Sequence, residues 1–244
     1  MNRLFLLLFI VGGLVWFAPP AMAQDISISL GDDASLSART IQLILLITVL
    51  SLAPGLAIMI TCFPFMVTVL SILRQGIGLQ QSPPNMLIIS LALFLTYFVM
   101  EPVFMAAWEQ GIDPLLNNEF SVETGIERAL EPFRLFMAGR VDAETFASMA
   151  ALRPDGAQIA QGADAPLSVL VPSFLLSEIS RAFQIGFLIF LPFLIIDLVV
   201  AAVLMSMGMM MVPPVVVSLP FKLAFFVIAD GWRLIADSLV RGYF

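Results

Sequence analysis

Residues 183 to 214 read FQIGFLIFLPFLIIDLVVAAVLMSMGMMMVPP, an apolar run long enough to cross a bilayer. It nevertheless holds Pro192 and a carboxylate at Asp197, and it closes on Met209, Met210 and Met211 before Pro213 and Pro214. Hydrocarbon tolerates freed backbone groups and an ionised side chain only where protein or a water-filled cavity surrounds them. The run is therefore read as part of a membrane assembly that lines or seals a path.

The rest of the chain agrees with a membrane setting. Of its 244 residues 60% are hydrophobic and 12% charged, against roughly a quarter charged in ordinary soluble domains. Mean hydropathy is +1.02. The expected class is an all-α integral membrane protein with kinked helical hairpins that assemble into a helical ring, and with a polar helical segment in the middle. The opening residues 1–23 have the order of a cleaved signal peptide: Arg3, an apolar run from Leu4 to Phe17, and Ala21-Met22-Ala23 before Gln24.

Several chemistries lose their commonest parts. The chain has no histidine, a lone Cys62, and Lys222 as its only lysine, with no phosphate-binding G-x-x-x-x-G-K-[ST] loop. No base stands ready to activate a nucleophile, so the expectation is a non-enzyme without a cofactor or metal. Acidic balance argues against nucleic acid. Eleven acidic residues and four arginines fall between Glu101 and Asp164, a surplus equal to the whole net charge of −7.

Read along the chain, residues 24–40 are a short polar segment. Residues 41–108 form a first apolar hairpin, residues 109–166 an acidic, helical and extracytoplasmic region, and residues 167–244 a second apolar hairpin with its tail. Pro54 and Pro64 break the uncharged run from Ile41 to Leu73, and with Pro192, Pro213 and Pro214 they are the expected hinges. Asn85–Met100 is expected to be a helix ended by Glu101-Pro102. Helical patterns cover Ser121–Ala138 and Asp142–Leu152, and Arg153–Ala165 reads as an exposed loop.

Met205, Met207, Met209, Met210 and Met211 lie within seven residues beside Gly208. Unbranched, polarizable methionines adapt to irregular surfaces, so Met207 and Met209–Met211 can close a pore yet yield to a moving polypeptide; filling gaps between helices is their ordinary use. Asp197 and Lys222 are opposite charges in apolar elements joined by a Pro-Pro turn. They can pair within one chain, or Lys222 can meet Glu178 of a neighbouring copy; a proton-relay role for Asp197 is the sharper alternative. Phe183, Phe187 and Phe190 recur at helical spacing and read as packing.

Long motifs carry a resemblance. Val171–Phe187 (VPSFLLSEISRAFQIGF), Pro192–Pro214 and Leu219–Trp232 (LPFKLAFFVIADGW) resemble the FliP family. So do Leu50–Thr61, Leu73–Asn85, Leu91–Pro102 and Pro132–Met137. The resemblance implies the main subunit of the flagellar type III export gate, several copies closing a ring with FliR. It also implies FliQ outside, FlhA and FlhB beneath, FliO aiding assembly, and unfolded flagellar proteins passing through the centre. It places the gasket at Met209, Met210 and Met211 with Met207 nearby, and subunit contacts at Glu178 and Lys222. Pro64-Phe65 stands where the family commonly has Thr-Arg, Glu101 replaces a small residue, and Ser180-Arg181 replaces a frequent Lys-Thr. An injectisome gate subunit and a small-solute transporter working through Asp197 are the alternatives, with a scaffold for an extracytoplasmic partner a third.

Overall fold

A computed structural model describes residues 33–78, 83–154, 156–209 and 211–244. The signal-peptide expectation and the first residues of the polar segment after it lie outside these, as does Met210. The secondary structure of the described residues is entirely helical.

Helix α1 runs Asp33–Met59. The residues up to Ser51 belong to a separate unit from the compact unit 52–244. Its side chains from Ile41 to Leu52 are about as exposed on one face as on the other, near 60% at Ile41, Leu46 and Leu52. Even its hydroxyls are satisfied internally, Thr48 and Ser51 each donating to the carbonyl four residues back at 2.7 Å. From Leu43 to Leu52 the exposed surface is apolar apart from these two satisfied hydroxyls, which suits lipid. Pro54 lies inside it without ending it. The chain breaks instead at Ile60–Cys62, so the expected Ile41–Leu73 element is two helices.

Helix α2 is Phe63–Ile77, with Pro64 in its first turn, where the missing N–H costs nothing. Gly78 stops it at φ 87°, a left-handed cap donating to the Gln75 carbonyl. Helix α3, Asn85–Ala107, passes straight through Pro102. It then continues through a wide π-type turn, Trp108–Ile112, into the short α4, Asp113–Leu116. The expected stop at Glu101-Pro102 is thus wrong: the apolar neighbours on either side sustain the helix past one lost hydrogen bond.

The polar middle is built by side-chain caps. Ser121 Oγ accepts from the Thr124 amide to start α5, Val122–Arg140, and Asp142 accepts from the Thr145 amide to start α6, Ala143–Ala151. These caps hold the acidic segment in a fixed place, because α5 and α6 close a small core of Met137, Phe146, Ala165, Val169, Leu170 and Phe174 against the next helix.

That helix, α7, is Leu167–Ser206. Its 40 residues make a rod of about 60 Å, and neither Pro172 nor Pro192 interrupts it. Pro192 is therefore a residue within a continuous helix. Pro213 caps and Pro214 begins α8, Pro214–Ile228. A bend of 61° leads into α9, Gly231–Arg241. The main core gathers on α2, which packs along α7 more extensively than any other pair of helices. Two glycines set that approach: a Cβ on Gly186 would lie 2.4 Å from Ile72 Cδ1, and one on Gly76 would lie 2.9 Å from Phe193.

Among the described residues three helical stretches are long and apolar enough to cross a membrane: Arg39–Met59, Asn85–Leu116 and Leu167–Ser206. The bent pair α8–α9 makes a fourth if counted as one span.

Candidate functional site

The methionine turn at the end of α7 has a defined construction. Gly208 takes φ +73°, its amide donates to Met205 O at 3.1 Å, and the Met209 amide donates to Leu204 O at 3.0 Å. These two bonds make a Schellman stop, which needs glycine at the left-handed position. Four residues later the two prolines restart the chain as α8. Between stop and start, the described methionines are exposed. Met207 is 67% and Met211 99% exposed, while Met209 is 40% exposed. Met207, Met209, Leu204, Val200 and Phe221 are among the residues lining a wholly apolar groove of ≈ 580 Å³ between α7 and α8.

Below this groove a polar clamp ties the two arms. Lys222 Nζ donates to Asp197 Oδ2 at 2.6 Å, and Ser218 Oγ donates to Asp197 Oδ1. Lys222 and Ser218 are buried, and Asp197 keeps 28% of its side-chain exposure. The ammonium also lies beside Gly78, where a Cβ would be 3.8 Å from Nζ. It therefore sits at the negative end of α2, a second source of stabilisation for a buried cation. Asp197 is about ten residues, or roughly 15 Å, from the turn.

Glu178 stands at the other end of α7 and is fully buried. Arg140 reaches Oε1 through Nε and Nη2, both at 3.1 Å, and Arg181 reaches it at 3.4 Å. The Tyr243 hydroxyl donates to Oε2. Burial, and then the Glu178 carboxylate, push the Tyr243 phenol well above the ordinary tyrosine range, so it stays a donor. Alongside, Ser177 Oγ accepts from the Asp142 amide at 3.0 Å, fastening the start of α6 to the same turn of α7.

Of the residues singled out from sequence, Asp197 and Lys222 meet each other, and Glu178 meets neither. Each of Lys222 and Glu178 already has partners inside one chain, so the pairing of Lys222 with a neighbour's Glu178 is not needed to satisfy either. Phe183 and Phe187 lie on the exposed side of α7 and Phe190 is half-buried. Arg140 and Tyr243 were missed. They lie 38 and 65 residues from Glu178, and only an unpaired acid in an apolar helix hinted that distant donors must exist.

An all-helical integral membrane protein, with buried charges at fixed points of one long helix and a bare methionine turn at its end, is the class that fold and site define. Residues 46–239 match the model of the FliP family. Flagellar biosynthetic protein FliP of Caulobacter vibrioides is 53% identical over 224 residues, 91% of this chain and 84% of that protein. Its namesake in Rhizobium meliloti is 50% identical over 86% of both chains, and that of Bacillus subtilis is 45% identical over 91% of this chain and 100% of its own. The chain belongs to the FliP family, membrane components of the flagellar export apparatus.

Proposed function

We propose that this chain is the pore-forming core subunit of the flagellar type III export gate in the bacterial inner membrane. Copies of it, closed into a ring with FliR and flanked by FliQ, surround a channel for unfolded flagellar proteins. FlhA and FlhB dock beneath and FliO aids assembly. The methionine turns meet at the constriction and seal it.

The observation that carries this reading is the turn itself. A Schellman stop and a double-proline start hold Met211 entirely free, at the tip of a rod whose outer face is also apolar: Phe187, Leu198 and Val203 are all more than half exposed. An apolar surface of this extent calls for cover by lipid or by other chains, and a rigid turn presenting soft side chains suits a seal that must fit many sequences. The proposal of Asp197 as a transport site loses ground because that carboxylate is already held by Lys222 and Ser218.

Contacts within the compact unit support a topology for it. Arg140 in the polar middle donates to Gly242 O at 2.9 Å, so the residues after α9 and the acidic segment share one end of the helices. The acidic segment and Tyr243 then lie on one side of the membrane, α7 leaving that side and α8–α9 returning to it. Native mass spectrometry of the detergent-extracted protein, co-expressed with FliR and FliQ, tests the assembly. A multi-copy complex is expected, and a stable monomer overturns it.

A further inference from the structure

The segment after α9 is not a loose tail. The Tyr243 ring touches two helices at once: it lies edge-on to Phe65 of α2 at 5.5 Å, and on α5 it stacks on Phe136 at 6.1 Å and carries the Arg140 guanidinium 4.0 Å above its face. Its hydroxyl completes the coordination of Glu178 on α7, and the neighbouring Gly242 carbonyl takes a further N–H of Arg140. Phe244, next in the chain, is 77% exposed.

We infer that Gly242 and Tyr243 form a strap that locks the base of α7 to the acidic segment, so that the joint between the two is closed only when the strap is seated. The physical reason is the state of Glu178 without it. Arg140 and Arg181 both address Oε1, and Oε2 has the phenol as its partner. A buried carboxylate oxygen stripped of its donor carries the full desolvation penalty. Arg140 simultaneously loses the aromatic face and one carbonyl. Withdrawal of two residues therefore loosens α5, α6 and the base of α7 together, while the Asp197–Lys222 clamp and the methionine turn have no contact with the strap. The strap reading stands independently of any sealing role for the methionines.

Hydrogen exchange read by mass spectrometry on the purified full chain tests it. Tyr243→Ala is expected to speed exchange by ~10-fold or more across residues 134–151 and 169–182, leaving residues 198–206 as in the parent. Tyr243→Phe, which keeps the ring and removes only the donor, gives a smaller acceleration in the same places, and Phe244→Ala gives none. Should Tyr243→Ala fail to accumulate, the Tyr243→Phe change is made in a Glu178→Gln background. There the phenol no longer faces a charge, and its loss is expected to add little. Unchanged exchange over residues 134–151, equal loosening of residues 198–206, or full additivity of the two conservative changes overturns the strap.

Discussion

The two halves of α7 are one continuous helix under opposite conditions. Its first half buries Val169, Leu170, Ser173, Phe174, Ser177, Glu178, Ala182 and Gly186, whereas its second half buries only Phe193 and Leu204. The base is held by α2, α5 and α6, by a carboxylate with three donor residues, and by the strap. The tip is held to α8 by one ion pair and an apolar groove. A rod fixed at one end and bare at the other separates two regions: the base keeps the fold, and under the proposed function the tip is left for other chains.

The largest effect expected from breaking this contrast is at the base. Glu178→Ala leaves Arg140 without its buried counter-charge, and losing one partner of such a pair costs about 3–5 kcal/mol. Thermal unfolding in detergent should drop accordingly, and a loss under ~1 kcal/mol would show the joint to be dispensable. Lys222→Met comes next, at about 1–3 kcal/mol, because Asp197 retains Ser218 and some solvent. Adding Asp197→Asn to it should recover much of that loss, since no charge then remains to be matched. At the turn, Gly208→Ala forces a Cβ into the left-handed region for about 1 kcal/mol, with no neighbour within 4 Å to add a clash. Alkali sharpens the comparison with the smallest signal. Tyr243 has its pKa raised in the folded chain, so its stabilisation is whole below the ordinary tyrosine value of about 10 and is lost as pH climbs above it. The difference in stability between the parent and Tyr243→Phe should therefore shrink above that pH, and a constant difference would contradict the assignment.

Local signals in the sequence were enough for the two helices of the acidic segment, but not for Arg153–Ala165, expected as an exposed loop. There Ala165 is buried in the small core, and the Ala163 and Ala165 carbonyls are held by Arg134. Ser121 and Asp142 are capping residues and lie where α5 and α6 start, because a cap is decided within four residues. The prolines were less readable. Pro102 and Pro192 break helices in water, yet both sit in unbroken ones here; long apolar flanks outweigh one missing donor, and nothing in the local pattern reports that. For Asp197 and Lys222 the sequence left two pairings open, and a hairpin with a seven-residue connection brings their register together within the chain. Glu178 was recognisable as a charge needing company, but Arg140 and Tyr243 arrive through tertiary packing alone. Pro213-Pro214 lie where the chain restarts as α8, while the Schellman stop at Gly208 depends on a backbone angle that a methionine-rich string does not announce.

The account rests on the bare tip being a seal between chains, and ion conductance across a membrane holding the assembled gate measures that most directly. Replacing Met209, Met210 and Met211 together with alanine, in a complex shown by native mass spectrometry to keep its parent composition, should leave the closed assembly leaky to small ions. Conductance indistinguishable from that of the parent gate would contradict the seal.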